Sequence, residues 1–304
     1  MNVELKKIGT EQRNERTMKI DTLSTLEIVK LLNEEDKTVA LAVEKATDQI
    51  ASLVDKIVEA FYKDGRLIYM GAGTSGRIGI LDAVECRPTY SVSDDMVQCL
   101  MAGGMNAMSK AVEGAEDSKE LAVQDLKNIN INANDVVVGI AASGRTPYVI
   151  GGVEYAKKIG CITGCITTSP NSEVASIVDF PIEAITGAEP VTGSTRMKSG
   201  TAQKMICNIL STTSMIKMGK VYENLMIDLQ PTNHKLVKRA QNIVSQATGV
   251  SMDEAQSYID KYKTVKKAIF AILSGIEDAK LVDNYLNEFK GHIRNALKEV
   301  HKND

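Results

Sequence analysis

The chain has 304 residues, of which 43% are hydrophobic and 25% charged, and its formal net charge is -3. That length allows one large or two ordinary domains with a real core, and the near-neutral balance gives no global attraction to nucleic acid or to an anionic membrane. An aromatic share of 4% with no Trp disfavours recognition by base stacking and fits a small polar ligand.

Taken in chain order, the opening MNVELKKIGTEQRNE is charged and lacks the apolar run of a signal peptide. No apolar stretch approaches the roughly 18 residues of a membrane span. Residues 1–56 read as an N-terminal helical extension. Ser24 precedes Leu26-Glu27-Ile28-Val29, and Ser24 with Glu27 makes a capping box. Residues 57–220 alternate strand and helix. Strands are predicted at 66–70, 88–92, 135–142, 161–167 and 180–185. Helices are predicted at 76–85, 105–128, 147–159 and from Ser194 to about 219. Three of these strands are near-continuous apolar runs, as in a parallel sheet covered on both faces. Residues 221–304 change character to a small helical domain. One helix is stopped by Gly249, one is opened by Ser251 with Glu254, one lies between Thr264 and Gly275, and a fourth runs to about 299. The fold class expected is α/β, a doubly wound parallel five-stranded sheet with N-terminal helices and a small C-terminal helical domain.

The most informative local feature is Gly71-Ala72-Gly73-Thr74-Ser75-Gly76, which follows the apolar run Leu67-Ile68-Tyr69-Met70. A strand ending in a glycine and hydroxyl loop that opens a helix is an anion site, because the helix N-terminus presents unpaired N–H groups and partial positive charge. A second such loop, Ser143-Gly144-Arg145-Thr146, follows Val136–Ala142. Two loops of this kind suit one phosphorylated small molecule held from two sides. The glycine spacing also matches a dinucleotide fingerprint, with Asp94-Asp95 near the position of the ribose-binding acid. The Thr74-Ser75 insert and the second loop weigh against that reading. No Gly-Lys-Ser/Thr P-loop is present.

Arg145 and Arg196 are candidates for phosphate pairing, since a guanidinium offers two parallel donors, against the plainer reading of a solvated helix face. Glu85 and Glu116 lie at element boundaries in apolar or small-residue settings, where burial would favour acid or base work. From the local sequence alone a helix-surface carboxylate is the favoured reading for each, and Glu113 and Asp117 are not separated from Glu116 by this argument. His234, His292 and His301 form no triad or metal spacing with other residues. The five Cys (Cys86, Cys99, Cys161, Cys165 and Cys207) are odd in number and irregular in spacing. Free thiols in a reducing compartment follow, hence a cytoplasmic protein, with Cys161 and Cys165 as core thiols. The expected chemistry runs on carboxylates without metal or cofactor.

The motifs resemble the N-acetylmuramic acid 6-phosphate etherase family. The resemblance is carried by Leu67–Arg77, by Leu81-Asp82-Ala83-Val84-Glu85-Cys86, by Ala102-Gly103-Gly104 and by Ala111–Asp117. The run Thr192-Gly193-Ser194-Thr195-Arg196-Met197-Lys198-Ser199-Gly200-Thr201-Ala202-Gln203-Lys204 and Asn224-Leu225-Met226-Ile227-Asp228 extend it. It covers nearly the whole chain from about residue 5. Arg87, where the pattern expects Pro, and His234, where it expects no histidine, depart from it.

The resemblance implies a sugar isomerase (SIS) phosphosugar-binding domain, a homodimer and a UBA-like helical C-terminal domain. It implies cleavage of the D-lactyl ether of N-acetylmuramic acid 6-phosphate, with Glu85 as proton donor and Glu116 as second catalytic carboxylate. Gly73, Thr74, Ser75, Gly76, Ser143, Gly144, Arg145, Thr146, Ser194, Thr195, Arg196 and Lys198 would hold the phosphosugar. Such sites are often built at a dimer interface, so Asn233 or Lys235 could act in trans. Two other readings use the same loops: a phosphosugar isomerase, and a non-catalytic sugar-phosphate sensor like the glucokinase regulatory protein. A dinucleotide-dependent oxidoreductase is the third alternative.

Overall fold

A computed structural model describes residues 11–110, 112–229 and 234–302. Asn233 lies outside them. The chain forms two compact units, one of Met1–Val84 with Asp94–Ser211 and one of Glu85–Ser93 with Thr212–Asp304.

The first unit begins with α1 (Thr25–Glu44), where the Ser24 N–H donates to Glu27 Oε2 at 2.8 Å and closes the capping box from its acidic side. α2 (Thr47–Phe61) follows, burying Leu53, Val54, Ile57 and Phe61 on one face. Then come β1 (Leu67–Gly71), α3 (Gly73–Tyr90), β2 (Val97–Met101), α4 (Lys119–Asn128), β3 (Val136–Ile140), α5 (Pro147–Ile159), β4 (Ile162–Thr167), β5 (Phe180–Glu183) and α6 (Lys198–Lys217). The strands form one parallel sheet in the order β2-β1-β3-β4-β5, with Gly71 beside Ile140 in register.

Strand alternation divides the core. Ile68, Met70, Val137 and Cys165 pack with residues of α4 and α5 on one face. On the other, the Tyr69 hydroxyl donates to Asp82 Oδ2 of α3 at 3.0 Å, and Leu53 of α2 reaches Gly164 of β4. The sheet is covered on both sides, which explains why β1 and β3 read as unbroken apolar runs.

Three expectations need correction. Residues 88–92 are not a strand. Residues up to Tyr90 close α3, with Cys86 and Tyr90 buried four residues apart, and the second strand is Val97–Met101. Helical burial of Cys86 and Tyr90 outweighs the helix-breaking tendency of Pro88 inside α3. The predicted helix 105–128 is two short 3₁₀ turns followed by α4, because Gly114 takes a left-handed φ of 75°. The last predicted helix is two.

The second unit holds a hairpin of β6 (Val221–Tyr222) and β7 (Leu225–Met226) and five helices. These are α7 (His234–Thr248), α8 (Met252–Tyr262), α9 (Val265–Ser274), α10 (Ala279–Glu288) and α11 (Ile293–Val300). Lys290 and Gly291, both at positive φ, separate α10 from α11. Val244, Ala255, Ala268, Phe270, Val282 and Ala296 lie at the centre of its core. Among the described residues no helix is long and apolar enough to cross a membrane.

Gly76 tests the sheet packing. A Cβ there would lie 2.7 Å from Met101 Cγ and 2.8 Å from the Gly71 carbonyl oxygen, and the latter is backbone. Gly76→Ala should therefore destabilise the fold by about 1–3 kcal/mol through overpacking, read as a lower urea midpoint with unchanged slope.

Candidate active site

The strand order reverses between β1 and β3, and at such a switch point the loops after both strands open onto one crevice. The first hydroxyl loop follows β1 and the second follows β3, so the topology places both at the same sheet edge. Gly73 has φ +53°, which lets α3 start two residues after the strand. Gly144 has φ +65°, and a Cβ there would collide with the Ser172 side chain. Thr146 is the N-cap of α5 and Pro147 its first residue. Ser143 and Thr146 are half-buried and Arg145 is exposed.

The third motif, Ser194–Lys198, comes to the same edge. A Cβ at Gly200 would meet Thr74 Cγ2 at 3.4 Å and the Thr195 carbonyl at 3.5 Å. The Thr168 hydroxyl donates to the Ala142 carbonyl at 3.1 Å and is hydrogen-bonded to the Ser199 hydroxyl at 2.9 Å. The structure thus brings together Thr74, Thr195 and, through Thr168, the approach to Ser143.

Two of the expected phosphate donors are engaged elsewhere. The Ser75 hydroxyl donates to Gln203 Oε1 at 2.9 Å. Lys198, 4% exposed, donates through Nζ to Glu35 Oε2 of α1 at 2.9 Å and to the Ala188 carbonyl at 3.1 Å. The N-terminus of α6 is occupied as well: both oxygens of fully buried Glu189 accept, from the N–H of Lys198 at 2.8 Å and of Ser199 at 2.9 Å. Ser194 is half-buried, and Arg196 is exposed.

Glu116 lines a cavity of about 240 Å³ with Gly73, Arg77 and Glu113, so it faces the helix start that the first loop creates. Arg77 donates to the carbonyls of Met108 at 3.0 Å and Ala107 at 2.8 Å, pinning the turn beside that cavity. Glu85 belongs to the second unit and lines a cavity of about 840 Å³ with Asn224, Lys235, Lys238 and Arg239. Both glutamates are exposed in the single chain, as the surface-carboxylate reading of their local sequence has it. The carboxylate that is buried near them in sequence is Asp82, whose pKa burial raises despite donors from Tyr69, Asn208 and Ser211.

Sequence reasoning missed Glu35, Glu189 and Gln203. Glu189 sits in Ala188-Glu189-Pro190, where nothing local marks a capping role for a helix nine residues on. Cys161 and Cys165 are core thiols, and burial pushes each up to about 12. Among the described residues no cluster of His, Cys, Asp and Glu could hold a metal. His292 occupies the N-cap position of α11 and is half-buried, and burial lowers its pKa. His234 is exposed at the start of α7.

The doubly wound sheet with hydroxyl loops at its switch point defines a SIS domain. The chain matches the SIS domain model over residues 106–212 and the glucokinase regulatory protein N-terminal SIS domain model over residues 49–157. A structure of a candidate phosphosugar isomerase involved in capsule formation from Bacteroides fragilis is similar at a TM-score of 0.52 and 25% identity, covering 66% of this chain and 95% of that one. At the level of the whole chain, the N-acetylmuramic acid 6-phosphate etherase of Clostridium botulinum (strain Langeland) is 55% identical, covering 98% of this chain and 99% of that protein. The relative so named in Clostridioides difficile is 53% identical, over 98% of each. The chain belongs to the N-acetylmuramic acid 6-phosphate etherase family.

The buried Lys198–Glu35 pair makes a stability prediction. Burial opposes charge on Glu35, but hydrogen bonds from Lys198 and Asn14, with the charges of Lys198 and Arg16, outweigh it and hold the carboxyl below its ordinary 4.5. With the folded value below the unfolded one, this contribution is complete above about pH 4.5 and is lost as pH falls through the depressed value. Lys198→Met should lower unfolding free energy at neutral pH by about 3–5 kcal/mol, because it strands a buried carboxylate. Glu35→Gln should flatten the acid limb of the stability curve, measured by urea unfolding between pH 3 and pH 7.

Proposed function

We propose that the protein is a carbon–oxygen lyase that cleaves the D-lactyl ether of N-acetylmuramic acid 6-phosphate to N-acetylglucosamine 6-phosphate and D-lactate. The observation that supports this reading most is near-full-length identity to relatives named for that etherase. Glu85 and Glu116 both stand where the family motif expects them, and each lines a cavity large enough for part of a sugar phosphate.

The chemistry needs two carboxyl groups and no redox step. A simple ether resists hydrolysis because an alkoxide leaves poorly. With the sugar ring open, C1 is an aldehyde and the C2 hydrogen is acidified, and the lactyl oxygen on C3 is β to the carbonyl. One carboxylate, Glu116, removes the C2 proton. The electron pair forms the C2–C3 double bond and expels the lactyl oxygen, which takes its proton from Glu85. Water then adds at C3 and a proton returns to C2, with the two groups in reversed roles. The sum is ether plus water to alcohol plus lactate. Each positioned proton transfer contributes typically about 10²–10⁴-fold in rate.

The phosphate is the handle. Ser143, Gly144, Arg145 and Thr146 at the N-terminus of α5, with Gly73, Thr74, Ser75 and Gly76 at the start of α3, grip it through backbone N–H groups and hydroxyls. Ser75 joins this set by giving up its bond to Gln203. Lys198 holds α6 in place through Glu35 rather than reaching the phosphate.

The assay is D-lactate release from N-acetylmuramic acid 6-phosphate. The wild type should produce lactate, and Glu85→Ala and Glu116→Ala should each lose about 10²–10⁴-fold in turnover. Ser143→Ala should lower kcat/KM by about tenfold or more with thermal stability intact. A folded wild type that released no lactate would move the assignment to a phosphosugar isomerase or a sugar-phosphate sensor.

The working form proposed is a homodimer. Leu26, Val29 and Leu41 of α1 are 62%, 57% and 59% exposed, and a second copy would remove this apolar surface from water. Sedimentation equilibrium should give twice the 33.0 kDa chain mass, and Leu26→Glu with Val29→Glu should shift it toward the monomer.

A further inference from the structure

The cavity that holds Glu85 carries an imbalance of charge. Lys235, Lys238 and Arg239, on the first turns of α7, line it together with that single carboxylate, and Asn224 and Asn242 complete the polar wall. Lys235, Arg239 and Asn242 recur at helical spacing, so one face of α7 supplies them. The ion pairs of this unit use other residues: Lys220 and Lys266 meet Asp228, Lys267 meets Asp283, and Arg294 meets Glu223. Among the described residues none of the three α7 cations has an ion-pair partner. Three cations against one carboxylate, in a concave site of about 840 Å³, suit an anionic ligand.

We propose that Arg239, assisted by Lys235 and Lys238, binds the carboxylate of the lactyl group and so determines which ether is cleaved. This rests on the etherase reading and follows from bond connectivity. Glu85 protonates the departing lactyl oxygen. That oxygen and the lactyl carboxylate are attached to the same carbon. A carboxylate so placed must lie in the cavity that Glu85 lines. A guanidinium meets a carboxylate through two parallel N–H donors, which fixes the rotation of the lactyl group and aims its ether oxygen at the acid. The sugar phosphate product has a bare hydroxyl at C3 and leaves these cations without a partner, so the same residues favour substrate over product. The phosphate loops cannot make that distinction, because substrate and product carry the same phosphate.

The test pairs two ligands with two proteins. One ligand is N-acetylmuramic acid 6-phosphate. The other is 3-O-ethyl-N-acetylglucosamine 6-phosphate, the same ether without the carboxylate, read as a substrate or as a competitive inhibitor. In Arg239→Gln, kcat/KM for the natural substrate should fall about 10- to 100-fold, the scale of a lost charge-assisted hydrogen bond. The ethyl ether should bind or react equally with wild type and variant, and Arg239→Lys should recover part of the loss. Equal activity of wild type and Arg239→Gln on the natural substrate would overturn the assignment. An equal loss on both ligands would overturn it too, by showing a general effect on the site. Failure of the etherase reading looks different, since the wild type itself would then release no lactate from N-acetylmuramic acid 6-phosphate.

Discussion

The carboxylate of Glu189 is the joint on which the first unit is assembled. It is fully buried, and its charge is met by the first backbone N–H groups of α6. A carboxylate at a helix N-terminus satisfies orphan donors and complements the helix dipole at once. Fixing that end of α6 fixes Lys198, whose ammonium then ties α1 through Glu35. It also fixes Ser199, whose hydroxyl is hydrogen-bonded to that of Thr168 in the loop after β4. Four segments distant in sequence are located by one acidic side chain.

The same joint explains a division of labour among helix N-termini. Four helices, α3, α4, α5 and α6, begin at the C-terminal edge of the sheet, and each could attract an anion. α6 is closed by a carboxylate of its own chain. α4 is capped by the Ser118 hydroxyl, which accepts from the Leu121 N–H at 3.0 Å, whereas Thr146 at the N-cap of α5 makes no side-chain cap. The start of α5 is thus left open to the external phosphate proposed above.

Much of the fold was legible because its signals are local. The unbroken apolar runs at Leu67–Met70 and Val136–Ile140 mark buried parallel strands, and Thr146-Pro147 marks the start of α5 at its observed residue. The hydroxyl loops were legible for the same reason. The errors arose where tertiary burial overrode a local cue. Pro88 reads as the edge of a strand, yet the buried side chains of Cys86 and Tyr90 carry the helix through it. Lys198 reads as a phosphate ligand because it stands beside Ser194 and Arg196. Its partner Glu35 lies 163 residues away, and no pattern in the chain announces the pair.

Pro88 has one more consequence. A proline offers no N–H, so it cannot supply the rung that would otherwise reach the carbonyl of Val84, four residues earlier. The missing rung spans the turn of α3 that carries Glu85, and the chain passes from its first compact unit to its second at that same turn. The boundary between the two units thus falls where α3 is held by one backbone hydrogen bond fewer than a regular helix.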